Sequence, residues 1–152
     1  TVSPQRLADL CQSGKIDLLD VRTPVEFREL HAADARNVPL DRLDPAAFDM
    51  VIVDPPAFVK RKRDLPKGIA AYRKLNQMAM QLLSRDGILV TCSCSHHLPQ
   101  DELIAAVQQS ARHLSRFAQV IAVGGHAPDH PIHPAIPETR YLKPLTCRVV
   151  HD

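Results

Sequence analysis

Short apolar runs alternate along this chain with stretches whose apolar residues recur every three or four positions, and that alternation constrains the fold more than any other feature. Ile16 to Val21, Ala35 to Leu40, Met50 to Val53, Ile88 to Thr91, Val120 to Val123 and Thr146 to Val150 read as strands. Met50-Val51-Ile52-Val53 is continuous, as expected for a strand buried on both faces. Ser3 and Pro4 form an N-cap and first-turn pair; the helix they open carries Leu7, Leu10 and Cys11 and closes at Gly14. Thr23-Pro24-Val25-Glu26 is a capping box, with Phe27 and Leu30 as the apolar face behind it. Asp41 or Asp44 caps a short helix running to Phe48. Tyr72, Leu75, Met78, Ala79, Leu82 and Leu83 mark a long amphipathic helix stopped by Asp86-Gly87, and Leu103, Val107, Ala111 and Leu114 mark another. Strands alternating with helices predict a three-layer α/β/α, Rossmann-like fold of about six mostly parallel strands. The final strand follows a proline-rich loop without a crossover helix, so it is expected to run antiparallel. At 152 residues the chain is read as a single α/β domain.

The composition narrows the function classes. No apolar run approaches the roughly 20 residues needed to cross a bilayer, and no basic-then-apolar leader opens the chain. Cys92 and Cys94 are separated by one residue, poor spacing for a disulfide framework; with Cys11 and Cys147 they point to a reducing, cytoplasmic setting and no membrane partner. Formal charge is only +2, so any nucleic-acid contact must rest on a local patch. Lys60-Arg61-Lys62-Arg63 is such a patch, suited to phosphates or equally to a solvated loop. None of the five glycines makes a G-x-G turn after an early strand, where a nucleotide cofactor needs close backbone approach. His126 and His130 have the separation of a helical metal pair, but Pro128 between them breaks such a helix. No metal is expected, and His130 is assigned to bracing the proline-rich loop beside the site.

Two resemblances divide the chain. Asp17-Leu18-Leu19-Asp20-Val21-Arg22, Thr23-Pro24-Val25-Glu26-Phe27, His31 and Ala35-Arg36-Asn37-Val38-Pro39-Leu40 resemble the start of a rhodanese-like domain, over residues 3 to about 47. That family's chemistry sits on a later loop, where backbone N–H groups cradle a cysteine followed by glycine and arginines. No such loop follows here, so sulfur transfer by that mechanism is not expected. Residues 48 to 150 resemble the C-terminal half of the class I methyltransferases acting on carbon-5 of a cytosine in large-subunit ribosomal RNA. The motifs are Phe48-Asp49-Met50-Val51-Ile52-Val53-Asp54-Pro55-Pro56-Ala57-Phe58-Val59, Thr91-Cys92-Ser93-Cys94-Ser95, Ala127-Pro128-Asp129-His130-Pro131 and Tyr141-Leu142-Lys143. The joint lies near Asp44–Asp49.

The second resemblance implies a chemistry and a cofactor, S-adenosylmethionine, with ribosomal RNA as partner. Cytosine carbon-5 takes a methyl group only after a thiolate has added to carbon-6. Either Cys92 or Cys94 has the chemistry for that step, and the resemblance assigns it to Cys94. It assigns Asp54 to the ring nitrogen and exocyclic amine of a flipped base. Pro55 and Pro56 stiffen the loop, Lys60, Arg61, Lys62 and Arg63 grip phosphates, and Phe58 either stacks on the base or packs in the core. Because the glycine-rich turn is missing, activity is expected to be weak or absent. The competing readings are a non-catalytic natural or engineered hybrid fold, and a rhodanese-like sulfurtransferase without its cysteine loop. A homodimer through an exposed sheet edge is a further expectation.

Overall fold

The computed structural model describes residues 3–39, 42–44 and 47–151. The chain forms two compact units, Thr1–Asp44 and Pro45–Asp152, dividing at the joint between the two resemblances where the sequence alone is read as one domain. In the first unit, α1 (Pro4–Gln12) starts at Ser3, whose hydroxyl accepts the Arg6 N–H at 3.2 Å. Gly14 ends it with φ of 66°, a left-handed conformation that favours glycine. α2 (Pro24–Glu29) carries the full capping box: Glu26 accepts from the Thr23 N–H at 3.1 Å, and Thr23 Oγ1 accepts from the Glu26 N–H. Between and after these helices lie β1 (Leu19–Asp20) and β2 (Arg36–Asn37), a parallel two-stranded sheet. Both are shorter than the apolar runs predict. No described residue of this unit is fully buried, so the ladder is held by side chains instead. Asn37 Nδ2 donates to the Asp20 and Arg22 carbonyls, and Arg22 forks onto Asp20. The expected cap at Asp41 lies outside the described residues, and Phe48, the expected end of that helix, instead opens a strand.

The second unit contains β3 (Phe48–Val53), α3 (Leu65–Leu82), β4 (Leu83–Ser93), α4 (Gln100–His113), β5 (Arg116–Val123) and β6 (Lys143–His151). The strand order is β3-β4-β6-β5. β3 and β4 pair parallel, while β6 runs antiparallel to both β4 and β5. Thus β3, β4 and β5 point one way and only the last strand is reversed, as its missing crossover helix predicts. The mixed α/β class matches the sequence reading, but the six strands among the described residues form a two-stranded and a four-stranded sheet, the larger covered by helices on one face and not in three layers, because β6 pairs antiparallel between β4 and β5.

The core lies between this sheet and the helix pair. Leu83, Leu89, Leu145, Cys147 and Val149 are buried from the sheet; Tyr72, Ala79 and Met80 from α3, and Leu103, Ala106, Val107 and Ala111 from α4, meet them. Those helical positions fall at three- and four-residue spacing on one face. The α4 ends suit its dipole, with Asp101 and Glu102 in the first turn and Arg112 and His113 in the last. Ser110 Oγ joins the helices by donating to the Arg73 carbonyl at 2.9 Å.

Two expectations need correction. β3 is not buried on both faces: Met50 and Ile52 are 53% and 62% exposed, because both helices of this unit cover the other face, where Val53 is buried. α3 does not run to Asp86-Gly87; it ends at Leu82, and that dipeptide lies inside β4. Asp86 is held in the ladder by Arg148, which forks onto its carboxylate at 2.7 Å from both nitrogens. Gly87 permits close approach of β3, since a Cβ there would sit 3.3 Å from the Asp49 carbonyl.

Candidate active site at the strand tips

Strand alternation decides which residues of the two key motifs meet. In β3, Val53 turns into the core, so Ile52 and Asp54 belong to the open side. In β4, Leu89, Thr91 and Ser93 are buried against the helices, so Cys92 takes the same open side as Asp54. The parallel register sets Val53 beside Thr91, placing the Asp54-Pro55-Pro56 turn alongside the Cys92-Ser93-Cys94 tip. Cys94 is the first residue past the end of β4, and its Sγ lies 3.8 Å from the Pro55 carbonyl oxygen. Burial pushes the Cys92 thiol up to about 11, and the nearby Asp54 carboxylate and Cys94 sulfur add to the effect. One carboxylate and two thiols therefore share one corner, at the carboxyl ends of parallel strands where open α/β sheets place ligands.

A buried hydroxyl cluster fixes this corner from beneath. Tyr72, fully buried on α3, has its hydroxyl 2.8 Å from Ser93 Oγ and 3.2 Å from Ser95 Oγ. Ser95 Oγ accepts the Val59 N–H at 3.1 Å, and Ser93 Oγ accepts the Ser95 N–H at 3.1 Å. The two serines of the T-C-S-C-S motif thereby hold the backbone on both sides of Cys94, tie it to the loop after Asp54, and anchor both to α3. The serines' share in this is a role that sequence reading misses; polar residues alternating with cysteines on a strand ending are the available signal.

The other expected residues divide. Pro55 is half-buried and Pro56 exposed on the turn. Phe58 packs against the core with its ring 4.9 Å from that of Tyr72, which fits packing better than base stacking. Lys60, Arg61, Lys62 and Arg63 are all exposed, immediately after buried Val59. His130 is exposed beside Asp129, and its carbonyl accepts from His126 Nδ1 at 3.0 Å. His126 Nε2 in turn accepts the Leu142 N–H at 3.1 Å, so the proton sits on Nδ1 and the imidazole ties the proline-rich loop to the approach of β6. His126 and His130 are thus joined through ring and backbone, not through two rings facing a metal.

A cavity of about 400 Å³ lies next to the corner, lined among others by His96, Gly125, His126, Arg140 and Lys143. The sequence reading also passes over Lys143 as a functional residue. Its Nζ donates to the Ser95 carbonyl at 2.9 Å and the Tyr141 carbonyl at 2.5 Å. Burial pulls this ammonium below its usual range, and the Cys94 sulfur acts in the opposite sense.

S-adenosylmethionine is poorly served by the residues present. A Cβ on Gly68, Gly87 or Gly124 would strike Val59, Leu83 or Pro144, so these glycines serve internal packing. Gly14 follows a helix, and β1, the first strand, is two residues long with no glycine after it. Gly125 has open space around it and lines the cavity, but it follows β5 and not an early strand.

The arrangement has relatives. The fold matches a SAM-dependent methyltransferase structure from Streptococcus mutans with a TM-score of 0.58, at 15% identity over 86% of this chain and 37% of that one. It also matches the 1,6-didemethyltoxoflavin-N1-methyltransferase of Burkholderia thailandensis, solved with S-adenosylhomocysteine, with a TM-score of 0.55 at 16% identity over 98% of this chain and 68% of that one. These likenesses define a Rossmann-like α/β protein. By sequence the chain belongs to the rhodanese-like domain family, whose model matches residues 3–120. It is also 40% identical over 103 residues to ribosomal RNA large subunit methyltransferase I of Pseudoalteromonas atlantica, covering 68% of this chain and 26% of that protein. To the enzyme of the same name from Salmonella paratyphi B it is 36% identical over 143 residues, covering 88% of this chain and 36% of that protein. The chain spans about a quarter to a third of the length of these curated relatives. Rhodanese-like and methyltransferase sequence are combined in one chain, and its origin is a methyltransferase.

Proposed function

We propose that this chain is a chimeric, methyltransferase-derived domain that engages a cytosine of ribosomal RNA through Asp54 and Cys94, with methyl transfer from S-adenosylmethionine weak or absent. The observation that carries the reading is the corner itself: the Cys94 sulfur lies 3.8 Å from the Pro55 carbonyl, on the turn that begins at Asp54. Asp54 binds N3 and the exocyclic amine of a flipped base. The Cys94 thiolate forms the S–C6 bond while the C5=C6 pair moves to C5=C4 and the C4=N3 pair takes a proton at N3, across which Asp54 lies. Carbon-5 is now enamine-like. With no methyl group delivered it takes a proton from water, and reversal then expels the sulfur with loss of one of the two C5 hydrogens. Lys60, Arg61, Lys62 and Arg63, all exposed after Val59, supply phosphate contacts.

This chemistry predicts that the domain exchanges the C5 hydrogen of cytosine with solvent, without any methyl donor. Tritium release from RNA carrying 5-tritiated cytosine measures it. Release should disappear in Cys94→Ser, fall strongly in Asp54→Asn and persist in Cys92→Ser. No release from wild-type protein would return the chain to a non-catalytic hybrid fold, and release surviving Cys94→Ser would overturn the role given to Cys94. A titration with S-adenosylmethionine tests the second half, and micromolar affinity contradicts it. Rhodanese-like sulfur transfer gains nothing from the family membership, because Cys94 is followed by Ser95-His96-His97 and not by glycine and arginines.

A further inference from the structure

Lys143 brackets Cys94. In the β4–β6 ladder it lies opposite Ser93, one residue before the cysteine. Its ammonium reaches past the end of the ladder to the Ser95 carbonyl, one residue after. A second bond, to the Tyr141 carbonyl, closes the turn into β6 around the same nitrogen. Two of three N–H donors are thus fixed, and the charge is held at the tip where the thiol sits. A half-buried lysine that satisfies only carbonyl oxygens leaves its formal charge unbalanced.

The geometry points to Lys143 as the positioning residue of Cys94: the cation that balances the thiolate and clamps the backbone on either side of it. The inference rests on Cys94 being the reacting thiol proposed above. It adds a residue with no part in binding the base. Charged and titratable groups reach this tip from several elements. Lys143 comes from β6, Asp54 from the turn after β3, Cys92 from β4 and Tyr72 from α3, with His96 two residues along the chain. Asp54 carries the negative charge of this set, so Lys143 is the counter-charge.

Alkylation of the full chain by iodoacetamide tests this without RNA or cofactor. The label is read on the Cys94 peptide by mass spectrometry between about pH 6 and 9, in a Cys92→Ser background that leaves one thiol in the motif. Lys143→Met should alkylate about tenfold more slowly near neutral pH, with the rate profile displaced to higher pH. Lys143→Gln, which keeps a donor but no charge, should match it, and Lys143→Arg should stay within about twofold of the parent. Equal rates in Lys143→Gln and the parent, or equal slowing in the Arg and Gln variants, overturn the inference. Should Lys143→Met not fold, the Gln and Arg pair decides alone. Charge-dependent alkylation together with absent C5 exchange would leave this pairing standing and reject only the base chemistry.

Discussion

Replacing Tyr72 by Phe isolates the cluster that holds the strand tip. The ring stays, packed against Phe58 and the core, and one hydroxyl oxygen goes. That oxygen bonds two buried partners, Ser93 Oγ at 2.8 Å and Ser95 Oγ at 3.2 Å, both serines being at most 1% exposed. Its loss leaves the two serine hydroxyls to share the Val59 and Ser95 N–H groups and each other, with one hydroxyl contact unreplaced in a site closed to water. An ordinary buried hydrogen bond is worth about 1 kcal/mol, and an orphaned buried polar group costs about 1–3 kcal/mol. The expected destabilisation is therefore about 1–2 kcal/mol. At this chain length each kcal/mol lowers Tm by roughly 2–4 °C, giving a fall of about 2–8 °C. Calorimetry and urea unfolding followed by circular dichroism measure both quantities. Ser93→Ala supplies the second corner of a double-mutant cycle, in which a coupling of at least about 0.5 kcal/mol is expected. A Tyr72→Phe protein within about 0.3 kcal/mol of wild type, or a cycle with no coupling, would refute the idea that this cluster braces the tip.

Other outcomes follow from neighbouring residues. Thr91 is fully buried and its Oγ1 has no partner among the described residues, so Thr91→Val should stabilise the fold by about 1 kcal/mol in the same urea experiment. A Cβ on Gly68 would come within 2.2 Å of Val59 Cγ2, so Gly68→Ala should cost about 1–3 kcal/mol and displace the loop after Asp54. Burial raises the thiols of Cys92 and Cys147 from 9.0 to about 11. A folded-state value above the unfolded one favours folding fully below pH 9.0, and the contribution is lost as pH rises towards 11. Urea midpoints should therefore fall across that window, and fall less in Cys147→Ala once its lower starting stability is subtracted.

How much of this was legible in the sequence depends on the range of the force involved. Capping is local, so Ser3 and the Thr23–Glu26 box mark their helices correctly. The reversed last strand follows from connectivity, which the proline-rich loop makes plain. Burial of a strand on two faces is not local. The run Met50 to Val53 has the same letters whether or not a helix covers its second side, and here Met50 and Ile52 are largely exposed. The Asp86-Gly87 dipeptide reads as a stop signal because the signal is statistical; the Asp86–Arg148 fork that keeps it in a strand joins residues 62 apart. At the site, the Cys94 thiol and the Asp54 carboxylate come from motifs, while Lys143 and the serine hydroxyls come only from coordinates. Their partners lie on other elements, and no spacing along the chain encodes those contacts.

The two cysteines of the motif show how position, not residue type, divides the roles. Cys92 lies within the ladder, opposite Pro144, and burial by neighbouring strands keeps its thiol protonated far above neutral pH. Cys94 lies one residue past the last paired position, Ser93 with Lys143, where the chain has left the sheet and turned across the Pro55 carbonyl. Extending the ladder by a single pair would place Cys94 in the same kind of slot as Cys92. The ladder stops because Ser95 spends its N–H on the Ser93 hydroxyl and its carbonyl on Lys143, leaving neither for β6. The Cys94 position is thus made by two side chains that end a strand, and all the contacts that make it lie within Pro45–Asp152. For that reason the thiol corner can persist with a rhodanese-like segment ahead of it.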